Sequence, residues 1–318
     1  MHPAYSVIFF TVSSGIGFGM LMIAGGLVAI GRMPVDGVFG FVVMAAALAT
    51  AAAGLLSSTL HLGHPERAWR ALSQWRTSWL SREGIAAIAT FPTALLFGWG
   101  WVIAGSLAFP YACAGGIAAL LALATVYSTG KIYQSLVTIR AWHDSLVTPV
   151  YVALALASGT LWLAVIARAL NYADPAMTHL PIGLLVLGWL MKWRYWVRRD
   201  TDTGGPTVGT ATGLGRDGTP VLLLESPHTQ ENFVMREMGY RIARKHAVKL
   251  RRVAQVLAFA LPIVLTGLAM LPAMAGWPAL AFSLLAAALG TIGIATERWL
   301  FFAEARHVVT LYYGAERA

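Results

Sequence analysis

The stretch "HLGHPERAWRAL" (His61–Leu72) gathers groups that can move protons and hold anions. The chain before it carries no charged residue from Val38 to Leu60. Then His61, His64, Glu66, Arg67 and Arg70 arrive together, and Arg76, Arg82 and Glu83 follow before the sequence turns apolar again. Histidine titrates near neutrality, and a carboxylate close by can pass protons to and from water. Such a pair at the edge of an apolar run suits a quinone headgroup, whose reduction takes two electrons and two protons. Arg67 or Arg82 can hold a developing anionic oxygen. The plain alternative is a solvated helix end, and the residues alone leave both readings standing.

The elements that must position this cluster are membrane helices. Of 318 residues, 58% are hydrophobic and 12% charged, and the mean hydropathy is +0.66. A soluble domain usually carries about twice that charge. Spans of roughly 20 apolar residues cross a bilayer, and only helices satisfy their own backbone there. Eight stretches qualify, at about 7–31, 38–60, 84–106, 111–130, 149–168, 180–198, 253–273 and 278–301. "GRMPVDG", "LAFPYA", "NYADPAMTHLP" and "AGWPA" separate them. The expectation is an all-α integral membrane protein: one membrane-anchor domain, 1–318, built as an eight-transmembrane-helix bundle. "MHPAYSVIFF" has neither a basic n-region nor a small-residue cleavage site, so no removable signal peptide is expected.

Basic residues set the orientation. Eight spans place both termini and the second, fourth and sixth loops on one side, with 21 of the 23 Lys+Arg; only Arg32 and Arg168 fall on the other. Both termini and the His61 end are therefore expected to be cytoplasmic, in an inner membrane. The net charge of +9 belongs to that face and suits anionic lipid. No nucleic-acid-reading pattern accompanies it. The segment from Arg199 to Arg252 should be a cytoplasmic loop: a Gly/Thr-rich half, then a basic helix starting near Thr229 with Glu231 in its first turn. It reads as a surface helix, a docking platform for a peripheral subunit, or both.

"SSTLHLGHPERAWRALSQWRTSWLSREG" (Ser57–Gly84) resembles the second-to-third helix connection of the DmsC family, the membrane anchors of dimethyl sulfoxide reductase and related molybdenum enzymes. "KIYQSLVTIRAWHDSLVTP" (Lys131–Pro149) resembles that family's connection after the fourth helix, and "TERWLFF" (Thr296–Phe302) its closing helix. The resemblance implies an anchor for a molybdopterin catalytic subunit and a ferredoxin-like iron–sulfur subunit, exchanging electrons with membrane quinone and binding no haem. It puts the family's quinol-site histidine on His61, its functional glutamate on Glu83, and a family tyrosine on Tyr133. One departure matters. In dimethyl sulfoxide reductase the histidine end is periplasmic, whereas the charge count here puts it in the cytoplasm. That inversion and the basic sixth loop fit the related quinone-linked sulfite dehydrogenases better; a quinol-oxidising anchor of the reductase type is the alternative.

Other residues bound the chemistry. All eight histidines lie at helix ends or outside the spans, which leaves no mid-membrane pair for a b-type haem, and the single Cys113 cannot hold an iron–sulfur cluster. "SSGIGFGM" should permit close helix packing rather than cradle phosphate. Trp75, Trp79, Trp193 and Trp299 fit interfacial anchors. Glu297 and Arg298 interrupt the last span as an internal ion pair, a helix end reaching water, or a proton route to the quinone. A secondary transporter would need charges or broken helices near mid-membrane, and the charges are expected at one boundary. A purely structural anchor remains compatible with the sequence.

Overall fold

Helices α1 (Tyr5–Ala29) and α5 (Val147–Ala169) are buried over most of their length and lie against each other at the centre of the bundle. The computed structural model describes residues 5–172, 174–202, 204–214, 219, 221, 224–225 and 245–315, with only the backbone of His61. Around the central pair stand α2 (Gly37–Ser57), α3 (Trp79–Val102), α4 (Tyr111–Gln134) and α6 (Pro175–Thr201). A short α7 (Val208–Thr212) follows. Then α8 (Ala247–Gln255) runs through a π turn (Val256–Ala260) into α9 (Leu261–Leu268), and α10 (Trp277–Ala303) closes the bundle. The expected helix near Thr229 and Glu231 lies outside the described residues; its basic end, from Ala247, is helical.

The glycines of "SSGIGFGM" act as expected. A Cβ at Gly17 would run into the backbone of Ala47 and Ala51 on α2, and one at Gly19 into that of Ala155 on α5. Without a hydrophobic driving force between helices in lipid, such close backbone approach supplies the packing. The expected breaks coincide with caps. Asp36 accepts from Phe39 N at 2.7 Å to start α2, and Asp174 accepts from Ala176 N at 2.6 Å, ahead of Pro175, to start α6.

Six of the described helices, α1 to α5 and α10, are long and apolar enough to cross a membrane. The other two expected spans differ for identifiable reasons. Helix α6 has 27 residues, but its second half carries Lys192, Arg194, Arg198, Arg199 and Asp200. The seventh stretch is divided by the π turn, where the Leu261 N–H reaches the Val256 carbonyl. Pro262, one residue on, has no N–H to continue an α-helical ladder, and a π turn is a known accommodation.

Contacts between connections fix how the helices alternate. At one end the Arg32 guanidinium meets Asp174 at 3.4 Å and Trp101 Nε1 donates to the Pro34 carbonyl at 2.8 Å. At the other, Ser57 Oγ donates to the Ser6 carbonyl at 3.1 Å, and Trp142 Nε1 to the Phe301 carbonyl at 2.9 Å. The α2–α3 connection, the start of α1 and the end of α10 thus share one end of the bundle.

Candidate functional site

A 3₁₀ turn, Ser58–His61, extends α2, and a second 3₁₀ run, Pro65–Gln74, folds back over the start of α3. Ser81 Oγ donates to the Ala71 carbonyl. Arg82 Nε donates to the Trp75 carbonyl at 3.0 Å and its Nη2 to the Arg76 carbonyl at 2.6 Å, while the guanidinium stacks 4.3 Å from the Trp79 ring. Arg82 therefore holds the connection in place. His64 Nδ1 lies 3.0 Å from Glu66 Oε1 and Arg67 Nε 3.7 Å from the same oxygen, all on the exposed surface. His61 ends its turn two residues from the loop that carries this exposed cluster.

Glu83, one turn into α3, points the other way. It is 5% exposed, and its carboxylate accepts from Thr129 Oγ1 on α4. The single hydroxyl proton of Thr129 has a second acceptor, the Thr125 carbonyl at 3.0 Å, so it can turn between the two. Among the described residues no cation lies within ion-pair distance of Glu83. Beyond Thr129 is a cavity of about 20 Å³ bordered by Thr11, Ser14, Tyr151, Ser158 and Arg298, enough for one water. The Tyr151 hydroxyl and Arg298 Nη1 are buried without a hydrogen-bond partner.

From that cavity a cluster of buried charge extends sideways, near one end of the bundle. Arg298 Cζ stands 3.6 Å over the Tyr151 ring, and its Nε is 3.4 Å from Glu297 Oε2. Glu297 is ion-paired with Lys192 from α6. Lys192, Glu297 and Arg298 are 1%, 0% and 2% exposed. Lys192 Nζ rests 4.1 Å from the Tyr195 ring centroid. Tyr133 sits beside these charges in an aromatic cluster, 5.6 Å from Tyr151 and 5.5 Å from Phe301 between ring centroids.

On the far side of Tyr195 is an open pocket of about 400 Å³, at the same end of the bundle. Arginines and carboxylates alternate around it. Asp202 accepts two hydrogen bonds from Arg140, Arg198 lies 3.4 Å from Asp144, and Arg199 pairs with Glu304. Arg140 holds the Asp202 carboxyl below the usual carboxylate range. Its contribution is thus present at neutral pH and lost only as pH falls through that lowered value. Of the stretches singled out in the sequence, only Lys131–Pro149 contributes to this pocket, through Arg140, Ala141 and Asp144, and its polar wall does not suit an apolar ring.

The DmsC family, described as the DMSO reductase anchor subunit, matches residues 1–303. The chain belongs to the DmsC family. A sulfite dehydrogenase subunit of Allochromatium vinosum is 34% identical to it over 332 residues, covering 98% of this chain and 99% of the relative. The resemblance read from the α2–α3 connection therefore extends along the whole molecule.

For this DmsC-type membrane anchor, sequence reasoning found Glu83, Tyr133 and Glu297 but not what joins them. The expectation that charges keep to the boundary does not hold for Lys192, Glu297 and Arg298, and three of the 21 basic residues assigned to one face, Lys192, Arg251 and Arg298, are buried instead. Lys192 fell inside an expected span, which was the available signal. Thr129, Tyr151 and Ser158 gave none, since hydroxyls in apolar helices usually bond their own backbone.

Proposed function

We propose that this DmsC-type anchor passes electrons between a ferredoxin-like iron–sulfur subunit and membrane quinone at the junction of α2 and α3, with sulfite oxidised in a molybdopterin catalytic subunit. The observation that carries the reading is Glu83, a carboxylate buried at a helix start with a hydroxyl partner and, among the described residues, no cation at ion-pair distance. Burying such a group costs stability, so its use lies in proton exchange. The relative from Allochromatium vinosum is by name part of a sulfite dehydrogenase, which supports both the substrate of the complex and the existence of other subunits.

The donor set fits a quinone. His61 hydrogen-bonds a carbonyl oxygen and Glu83 supplies protons, with Tyr133 packed behind it. Arg82 positions the connection, and His64 and Arg67 stand on its outer surface, open to an incoming subunit. The water-sized cavity behind Glu83 cannot admit a ring. The headgroup therefore enters from the lipid side, past Leu60 and Leu80, which are exposed. When bound, quinone accepts the two electrons and two protons. Clusters and molybdopterin belong to the partner subunits; histidines confined to helix ends and the single Cys113 leave this chain without haem or cluster.

Titration of the purified chain with a short-chain quinone analogue, followed by tryptophan quenching, tests this reading. Saturable one-to-one binding to an iron-free protein, weakened in Glu83→Gln, is expected. A purely structural anchor shows no saturable binding.

The proposed architecture completes eight spans with α6 and the α8–α9 rod, with both termini and the quinone end in the cytoplasm of an inner-membrane protein. The charge asymmetry of the connections supports it. Reporter fusions after Arg76 and after Arg32 are expected to report opposite sides, cytoplasmic at Arg76. The reverse result returns the chain to the quinol-oxidising, dimethyl sulfoxide reductase arrangement.

A further inference from the structure

Resting on that reading of Glu83, we infer that the buried line Lys192–Glu297–Arg298–Tyr151–Thr129 is a lateral proton relay, filling the Glu83 carboxyl from the arginine–carboxylate pocket on the same face of the bundle. Three observations meet here. First, the groups are neighbours: Tyr195 borders both the open pocket and the tightly packed seam that holds Lys192, Tyr151 and Arg298. Lys192 is paired to Glu297, Glu297 to Arg298, and Arg298 and Tyr151 face the cavity that Thr129 closes on the Glu83 side. Second, two buried polar atoms bordering that cavity, Tyr151 Oη and Arg298 Nη1, have no protein partner, and the cavity has room for one water to join them. Third, a packing role alone does not explain the charges. Apolar side chains of similar volume would hold α6 to α10 as well or better, and ionisable groups inside a membrane bundle mark ion and proton paths.

The groups divide by chemistry. Arg298 does not pass protons; its guanidinium lies between Glu297 and the Tyr151 ring as a fixed cation. Lys192, Glu297, Tyr151, a cavity water and the Thr129 hydroxyl can each give one proton and take another. Each pass moves one proton and no electron. Glu83 yields a proton to the reduced quinone oxygen and regains one through Thr129, and Lys192 is reprotonated from the pocket by way of Tyr195, which borders both. Two passes match the two electrons delivered by the iron–sulfur donor. Every member lies within a few turns of the same end: Glu83 near the start of α3, Thr129 near the end of α4, Tyr151 near the start of α5 and Glu297 near the end of α10. The path therefore runs beneath one surface and does not cross the bundle.

The test uses the intact complex in proteoliposomes, with sulfite as donor and a soluble benzoquinone as acceptor. The double variant Lys192→Met with Glu297→Gln removes the titrating pair and keeps the net charge of the cluster. Quinone reduction is expected to fall about tenfold or more at saturating quinone, with KM for quinone and the rate to an artificial dye unchanged. A small permeant weak acid should restore the quinone rate. Thr129→Val should slow quinone reduction in the same way, whereas Thr129→Ser, which keeps the hydroxyl, should not. If the double variant fails to assemble, the Thr129 pair decides alone. Wild-type quinone rates in Thr129→Val overturn the relay, as does a slow double variant that weak acid leaves unchanged. A wild-type complex that reduces no quinone sinks the site reading itself, a distinguishable outcome.

Discussion

Replacing His61 by alanine is expected to lower electron transfer to quinone by about 10²-fold or more, while the complex stays assembled and sulfite still reduces an artificial soluble acceptor. The two readouts separate because they use different parts of the assembly. On the proposed reading, electrons reach the dye from the partner subunits alone, whereas quinone needs a donor at its carbonyl oxygen. The backbone of the 3₁₀ turn that ends at His61 accepts alanine, and the neighbouring Ser58 and Thr59 hydroxyls bond carbonyls of the preceding turn, at 2.6 Å and 2.7 Å, independently of it. A lost hydrogen bond is worth about 0.5–1.5 kcal/mol, too little to unfold the bundle. Unchanged quinone turnover would move the site away from His61. His64 and Tyr133 would be next, though His64 is on the exposed surface and Tyr133 is enclosed by aromatic rings.

Glu297→Ala is expected to be the most destabilising single substitution in the molecule. Glu297 is the shared counter-ion of Lys192 and Arg298, and all three are buried. Removing it leaves two cations facing each other out of water, a change that costs about 3–5 kcal/mol in buried pairs. Thermal unfolding of the detergent-purified chain measures it. Adding Lys192→Met to Glu297→Ala should recover most of the loss, because the cluster then returns to the single net charge it has in the wild type. Strict additivity of the two substitutions would show that the pair does not interact and would contradict the geometry.

The sequence showed the helices better than it showed what they hold. Long apolar runs bounded by Asp36, Asp174 and prolines mark their own ends, and α1 to α5 and α10 stand close to where periodicity and breaks put them. Glycines at positions 17 and 19 announced backbone contact. Helix α6 was harder. Lys192, inside the expected span 180–198, counts only as one more basic residue on the loop side until the fold places Glu297, from α10, against it. Composition assigns a charge to a surface; only the fold supplies a partner. The α2–α3 connection was legible as a site because its charges are consecutive, yet His64, Arg67 and Arg82 share that stretch with Glu83 and face elsewhere. The residues that extend the site inward, Thr129 and Tyr151, are ordinary in composition and acquire meaning from burial alone.

The pairing of Lys192 with Glu297 also constrains how the protein is made. A lysine at the centre of a helix raises the cost of entering the bilayer by about 2.5–3.5 kcal/mol on translocon-based scales, and Arg194 lies two residues further along α6. Its counter-ion is on α10, which follows the basic loop, α8 and α9 in the chain. If α6 spans the bilayer as proposed, its burial therefore depends on a carboxylate made only after the basic loop, α8 and α9. A chain truncated before Glu297 leaves Lys192 without the group that neutralises it.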